Sequence, residues 1–401
     1  MLVFEPIENT MHALTPQALA LPSFASLGAN LLKNMDRSRQ ARGKLLDRAG
    51  YGPQETPFTV LHSEPGLNLR RFGGAGVDGP AVLLVPAPIK RSYIWDLAPE
   101  ISVVRRWMEG GYQVYQAEWT PLPHEGEDED FGLDDYGDRL LAACQRAIEH
   151  DSGKASLSIA GHSLGGILAA IYSCLHPDRV DATVLLESPL HVEKSSCCFT
   201  PLIDATAHAQ PIADAFRQVP GVFLNMMSAI AEPHAFQYER MMDRWLSLAH
   251  PQLLATHMRV ERWTHDEFPL PGRLFTELVE QLYRKDEFMQ GELRIGARQI
   301  GPQDLRAPLV SVLDPRSKLI PEASMRPFHE AAGSERKCLL HYEGDVGVNL
   351  QHVGVLVGNS AHARIWPAIF AWLAGARQFH SAGALRAASA SAGGPALPFR
   401  P

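Results

Sequence analysis

Ser163, set between two glycines in Gly161-His162-Ser163-Leu164-Gly165, is the side chain of this sequence best suited to covalent chemistry. Gly-x-Ser-x-Gly is the pattern of a sharp strand-to-helix turn that holds a nucleophilic serine clear of the backbone. The two glycines answer a steric need. The chain reverses so tightly that a Cβ at Gly161 or Gly165 would strike the adjoining strand or helix, and Ser163 must take a strained conformation. The flanking residues agree with such a turn. Residues 155–160 read as a short buried strand, and residues 164–175 as an alanine- and leucine-rich helix ended by His176-Pro177. His162 reads as no more than the variable residue of the pattern.

A serine of this kind needs a base to take its proton and, usually, a carboxylate to orient that base. In sheets that carry this turn the three follow in the order Ser, Asp or Glu, His, and the base lies on a loop after the last strand. His352, in Asn349-Leu350-Gln351-His352-Val353-Gly354, occupies that place, whereas His341 falls within a strand and His362 begins the final helix. The acid is expected on the loop after the apolar run 309–313, where Asp314 is the carboxylate available before Glu322. Glu187, at the end of the strand after the turn's helix, is the alternative acid, and a Ser-His dyad without one is the third possibility. An oxyanion hole requires backbone N–H groups aimed at the developing alkoxide. Leu164 supplies one. The other comes from the loop after Val85, where Pro86 and Pro88 lack an N–H and leave Ala87 or Ile89.

These residues must be positioned by a sheet, and the chain from residue 57 onward alternates accordingly. Residues 58–61 and 67–72 suit a hairpin, and the wholly apolar run 81–85 suits a strand buried on both faces. A crossover helix around 103–107, a strand at 113–117, a helix over 133–150, the strand and helix of the turn, and a strand at 182–186 follow. Strand-helix alternation of this sort demands a mostly parallel sheet with helices on both faces. The expected architecture is therefore an α/β-hydrolase fold in two core parts, 56–189 and 301–378. Between them, residues 190–300 are rich in helix-forming and aromatic residues and read as an inserted cap over the site. Residues 1–55 read as an amphipathic helical appendage over 14–46, with Asp36, Arg37, Arg39, Arg42 and Lys44 on its charged face. Residues 379–401, rich in Ala, Ser and Gly, read as a disordered tail.

Composition narrows the function class. Apolar residues are 45% and charged residues 20% of the 401, which is the balance of a globular chain. A net charge of −8 argues against a nucleic-acid partner. No run approaches the ~20 apolar residues of a transmembrane helix. The first residues lack the basic stretch and apolar core of a secretory signal, so the expected location is cytoplasmic. Five cysteines without Cys-x-x-Cys spacing imply neither a disulfide framework nor a zinc site. The acidic run 125–130 lacks the spaced ligands of an EF-hand, and no dinucleotide or P-loop pattern is present. No metal or cofactor is expected.

More of the sequence bears on identity. The stretch Pro86-Ala87-Pro88-Ile89-Lys90-Arg91-Ser92-Tyr93-Ile94-Trp95-Asp96-Leu97, followed by Ser102-Val103-Val104-Arg105, resembles the corresponding part of polyhydroxyalkanoate synthases. So do Glu118-Trp119, Leu133-Asp134-Asp135-Tyr136, Arg262-Trp263 with Asp266, Gln290-Gly291-Glu292-Leu293, His352-Val353-Gly354 and the run 365–373. The likeness spans residues 80–375 in the family's order. It implies an enzyme that transfers hydroxyacyl groups from coenzyme A thioesters beneath a mobile cap, with Ser163 accepting the acyl group and His352 as base. It also implies an acyl ester, thioester or polyester as partner, with granule association or a homo-oligomer as further possibilities. Two positions depart from the family. Ser163 stands where synthases carry the nucleophilic cysteine, and Ser317 stands where their aspartate is expected. A serine ester suits an enzyme that finishes with water, so hydrolysis and polymer synthesis both remain open. A general carboxylesterase or lipase, and an inactive granule- or partner-binding subunit, are the competing readings.

Overall fold

The computed structural model describes residues 24–74, 78–122, 131–195 and 197–376. Eight strands form one sheet: β1 (Phe58–Glu64), β2 (Leu67–Phe72), β3 (Ala81–Val85), β4 (Gln113–Trp119), β5 (Leu157–His162), β6 (Val180–Leu186), β7 (Leu309–Leu313) and β8 (Lys337–His341). Their spatial order is β1-β2-β4-β3-β5-β6-β7-β8. The β1–β2 and β2–β4 pairs are antiparallel, and every other pair is parallel. The hydrophobic pattern explains which strands are central. All residues of β3, β5 and β7 are buried, as continuous apolar runs covered on both faces require, while β1 at the edge is largely exposed.

Two apolar layers cover the sheet. On one face α3 (Leu140–Ser152) and α4 (Leu164–Leu175) pack Leu141, Ile148, Leu168 and Ile171 against Leu83 and Ile159. On the other, α2 (Val103–Glu109) and the helix over 366–376 bring Trp107, Trp366 and Ile369 against Val82, Val114 and Val184. Trp107 meets Tyr112 edge-on, with ring centroids 4.6 Å apart. The Ser102 hydroxyl caps α2 by accepting from the Arg105 amide at 2.9 Å, and α3 ends at Gly153 with φ 69°.

The alternation stops after β6. Residues 200–290 form helices, among them α5 (Gly221–Ala231), α6 (Arg240–Ser247), α7 (Pro251–Thr264) and α8 (Gly272–Glu277). Two small antiparallel sheets that periodicity did not foretell accompany them, a long-range pair of Gln218–Val219 with Leu270–Pro271 and a hairpin of Leu293–Ile295 with Arg298–Ile300. Ahead of the sheet lies the helix Phe24–Leu46, of which Arg39 from the expected charged face turns inward. It forms a 2.9 Å ion pair with Glu267, and Asp47 beyond the helix pairs with Arg262 at 2.7 Å. The expected helical start at 14–23, the acidic run 125–130 and the tail 379–401 lie outside the described residues. Among the described residues, no helix is long and apolar enough to cross a membrane.

Candidate active site

The turn between β5 and α4 has the geometry its glycines imply. Ser163 takes φ 56°, ψ −130°, a region that non-glycine residues rarely occupy, and its amide donates to the Leu186 carbonyl at 3.0 Å. A Cβ on Gly161 would lie 2.4 Å from the Gly165 carbonyl oxygen, and one on Gly165 would lie 2.1 Å from that of Val85. These neighbours are backbone atoms of the central strand and its helix and have little room to yield. Gly165→Ala is therefore expected to destabilise the fold by about 3 kcal/mol or more, read as a lowered urea midpoint, whereas Gly375→Ala, in open space, should leave it unchanged.

Ser163, Leu164 and His352 line one cavity of about 410 Å³ between the sheet and the helices that follow β6. Its walls are mainly apolar, with Phe223, Leu224 and Met227 from α5, Phe275 and Leu278 from the α8 region, and Leu202. Ala87 and Ile89 also line it. Leu164 opens α4, so its N–H has no carbonyl to accept it within the helix. Pro86 abuts the turn, for a Cβ on Gly165 would come within 2.6 Å of the Pro86 carbonyl carbon, and Ala87 follows it directly in the chain. Ile89 instead turns toward the helical segment, where its carbonyl accepts from the Phe268 amide at 3.1 Å.

Polar groups close one wall. Lys90 follows Ile89, lies over the Trp263 ring, and donates to the Glu267 carboxylate and, at 3.0 Å, to the Thr264 carbonyl. Burial pushes its ammonium down to about 8, against the opposing pull of Glu267. The Arg39–Glu267 pair thus brings the N-terminal helix to the same wall.

The three expected catalytic partners are arranged unequally. The His352 side chain is 11% exposed, and its partial burial pushes the pKa down to about 4, which keeps the imidazole neutral. Its Nδ1 lies 3.7 Å from the Glu187 Oε2. Glu187, fully buried with φ 45° just past β6, receives the Asp314 amide on its other oxygen. Burial raises the Glu187 carboxyl well above its usual range; the Asp314 amide and the Ser317 hydroxyl work in the opposite direction. Asp314 is also buried, but its carboxylate faces Arg316, accepting from the Arg316 amide at 2.9 Å and from the guanidinium at 3.2 and 3.3 Å. Of the two carboxylates the alternative, Glu187, is the one beside the imidazole. Ser317, at the position where the resemblance to synthases calls for an aspartate, contacts Glu187.

His162 is more than the variable residue of the pattern. Its Nε2 donates to the His352 carbonyl at 2.8 Å, and the two rings lie 4.6 Å apart at 39°. A carbonyl can only accept, so the His162 proton sits on Nε2 and the ring, held neutral by burial, supports the loop that presents His352. The signal for this was positional. Counting by twos from Ser158 puts His162 on the same face of β5 as Ala160.

Among the described residues, no group of three or more His, Cys, Asp or Glu side chains is arranged to hold a metal ion. The five cysteines are free thiols.

A model of the alpha/beta hydrolase fold matches residues 116–293. The poly(3-hydroxyalkanoate) polymerase subunit PhaC of Haloferax mediterranei is 26% identical over 368 residues, 90% of this chain and 72% of that protein. The subunit of the same name from Allochromatium vinosum is 23% identical over 346 residues, 84% of this chain and 95% of that protein. The chain has the α/β-hydrolase fold and is similar in sequence to poly(3-hydroxyalkanoate) polymerase subunits over most of its length. Among solved structures, the synthase-like chain is similar to the Paleococcus ferrophilus monoacylglycerol lipase, with a TM-score of 0.49 at 15% identity, covering 78% of this chain and 100% of that one. The fold and the likeness to the polymerase subunits make this chain an α/β-hydrolase-fold enzyme.

Proposed function

We propose that this protein transfers hydroxyacyl groups from esters or thioesters through a covalent ester on Ser163. The observation that carries the reading is the strained serine at the mouth of α4, opening into an apolar cavity that His352 also lines. Ser163 Oγ attacks the substrate carbonyl while His352 Nε2 takes its proton. The amides of Leu164 and Ala87 hold the developing oxyanion, with Ile89 the less well placed alternative to Ala87. The intermediate collapses, His352 returns the proton to the departing thiol or alcohol, and the acyl group stays on Ser163. Water, or the hydroxyl of another hydroxyacyl unit, then attacks the ester with His352 again as base. Glu187, whose Oε2 lies 3.7 Å from His352 Nδ1, closes on that N–H to stabilise the imidazolium that forms. Coenzyme A enters this scheme as the leaving group of a substrate, not as a resident cofactor.

The likeness to the polymerase subunits supports a hydroxyacyl substrate. The depressed pKa of His352 supports a base competent at neutral pH and below, since it accepts a proton only in its neutral form. The test is incubation with 3-hydroxybutyryl-coenzyme A, following free thiol and product size together. Thiol release that Ser163→Ala reduces to background is the expected result, with polymer marking a synthase and free acid a hydrolase. Turnover confined to short p-nitrophenyl esters would point to a general esterase. A protein whose Ser163 is not labelled by a fluorophosphonate would be the inactive binding subunit, and the reading would fall.

A further inference from the structure

The loop that carries His352 is tied to the helical segment by a buried network away from the cavity chemistry. Asp243, on the inner face of α6, is 6% exposed. Its Oδ1 accepts from the Gly347 amide at 2.7 Å, and its Oδ2 accepts from the Asn349 amide at 2.8 Å and from His257 Nδ1 at 2.7 Å. One carboxylate on the helical segment thus satisfies two backbone amides within five residues of His352.

The rest of the network fixes the direction of each bond. Because Asp243 can only accept, His257 carries its proton on Nδ1, and its Nε2 is the acceptor 3.1 Å from Asn349 Nδ2. Asn349 Nδ2 also donates to Glu261 Oε2 at 2.9 Å, so both α6 and α7 grip the same loop residue. The loop is shaped for this grip. Asn349 has φ 62° and Gly347 φ 88°, and a Cβ on Gly347 would lie 2.9 Å from the Leu253 carbonyl oxygen of α7. Val348 and Leu350, between and beyond them, are buried in the same apolar cluster as Val260 and Trp263 of α7.

We infer that Asp243 is a positioning residue which makes the placement of His352 depend on the seating of α6 and α7. The inference rests on the acyl-transfer reading for its catalytic consequence, but the mechanical coupling stands on the bonds above. When α6 moves away from the sheet, the Gly347 and Asn349 amides lose their acceptor and the segment 347–352 is released. Opening the cavity and disabling the base are then one event, so acyl transfer is confined to the seated state. A buried carboxylate that accepts three hydrogen bonds is not readily replaced by water in place, which makes the two arrangements distinct.

The experiment compares Asp243→Asn and Asp243→Glu with the wild type and with Ile369→Val, a change at a buried core position that controls for a general loss of stability. Asp243→Asn is expected to lower kcat for Ser163-dependent turnover at least tenfold with KM within twofold, and to raise amide exchange across 344–353. Asp243→Glu should recover part of both, and Ile369→Val neither loss. An unchanged kcat in Asp243→Asn, or a loss no greater than in Ile369→Val, would overturn the inference. If the wild type shows no Ser163-dependent turnover, the functional reading fails by itself, and exchange decides the coupling. Faster exchange at 344–353 in Asp243→Asn alone upholds it, and unaltered exchange there sinks it.

Discussion

Glu187→Gln is expected to lower the rate of Ser163 acylation by about 10³–10⁴, and Asp314→Asn by less than about tenfold. Glutamine has the shape of glutamate, and its Oε1 can still receive the Asp314 amide. Its Nε2 then points at His352 Nδ1, where it donates instead of accepting. That forces the His352 proton onto Nε2, the nitrogen that must be free to accept from Ser163, so the base is present in the wrong tautomer. Asp314→Asn leaves its backbone amide in place for Glu187. It weakens the hold on Arg316, whose guanidinium also reaches the Glu343 carbonyl, and so acts on the loop and not on the proton. Single-turnover labelling of Ser163 by a fluorophosphonate measures acylation without the deacylation step. Equal losses in the two variants, or a larger loss in Asp314→Asn, would return the acid to Asp314; no loss in either would leave a Ser-His dyad.

Acidification from pH 7 to pH 5 is expected to remove on the order of 5 kcal/mol of folding stability, through histidines that the fold keeps neutral. Burial pushes His329 and His362 down to about 4 and His162 well below its ordinary value. His362 shows why. Its Nδ1 faces the Arg106 guanidinium at 3.2 Å and its Nε2 donates to the Leu356 carbonyl at 2.8 Å, so a second proton would be aimed at a cation. In the unfolded chain these rings titrate near 6.5. Between about 6.5 and 4 the unfolded state therefore binds more protons than the folded one, and stability falls as pH falls through that window. Glu187, raised by burial, works the other way: its buried charge is costly at neutral pH and protonation relieves that cost. Asp36, Glu55 and Asp286 are raised by burial as well, but His352, also pushed down to about 4, makes four depressed histidines, and these outweigh the carboxyls. Urea midpoints at pH 7 and 5 test the balance, and His362→Gln should reduce the difference between them by on the order of 2 kcal/mol. Midpoints equal at the two pH values would show that these rings do not control acid stability.

The two arguments bear on different parts of the molecule, and they also differ in how far residue order alone leads to them. The sheet was legible because its signals are local. Runs such as 81–85 and 309–313 are wholly apolar, and glycines at 161 and 165 bracket a turn that only small residues allow. The helix Leu164–Leu175 coincides with the expected 164–175, since His176-Pro177 ends it chemically. The strand edges moved by two residues or so, as for β5 and β6, because pairing with a neighbour extends a strand past its own apolar run.

The orientation of the acid was not legible, and the reason is register. Val312 pairs with Leu186, and the Glu187 amide donates to the Val312 carbonyl at 2.9 Å. The parallel ladder thus brings Glu187 and Asp314, 127 positions apart, to the same edge of the sheet. Residue order names both carboxylates as candidates. Which one faces His352 depends on where each side chain finds a partner: Arg316 occupies Asp314, while the left-handed backbone at Glu187 turns that carboxylate toward the imidazole. A glutamate directly after the buried Leu185-Leu186 was the available signal, since a carboxylate there is costly unless something uses it.

By itself, then, the sequence determined the α/β-hydrolase sheet, the turn that exposes Ser163 and the loop after the last strand that bears His352. Each of these depends on patterns within a dozen consecutive residues: periodicity, steric smallness and helix-ending chemistry. Tertiary structure alone decided the pairing of Glu187 with His352, the support from His162, the reach of Arg39 into the cavity wall and the grip of Asp243 on Gly347 and Asn349. These join residues that only strand register and helix packing bring together, and a hydrogen bond is decided by fractions of an ångström that no spacing along the chain encodes.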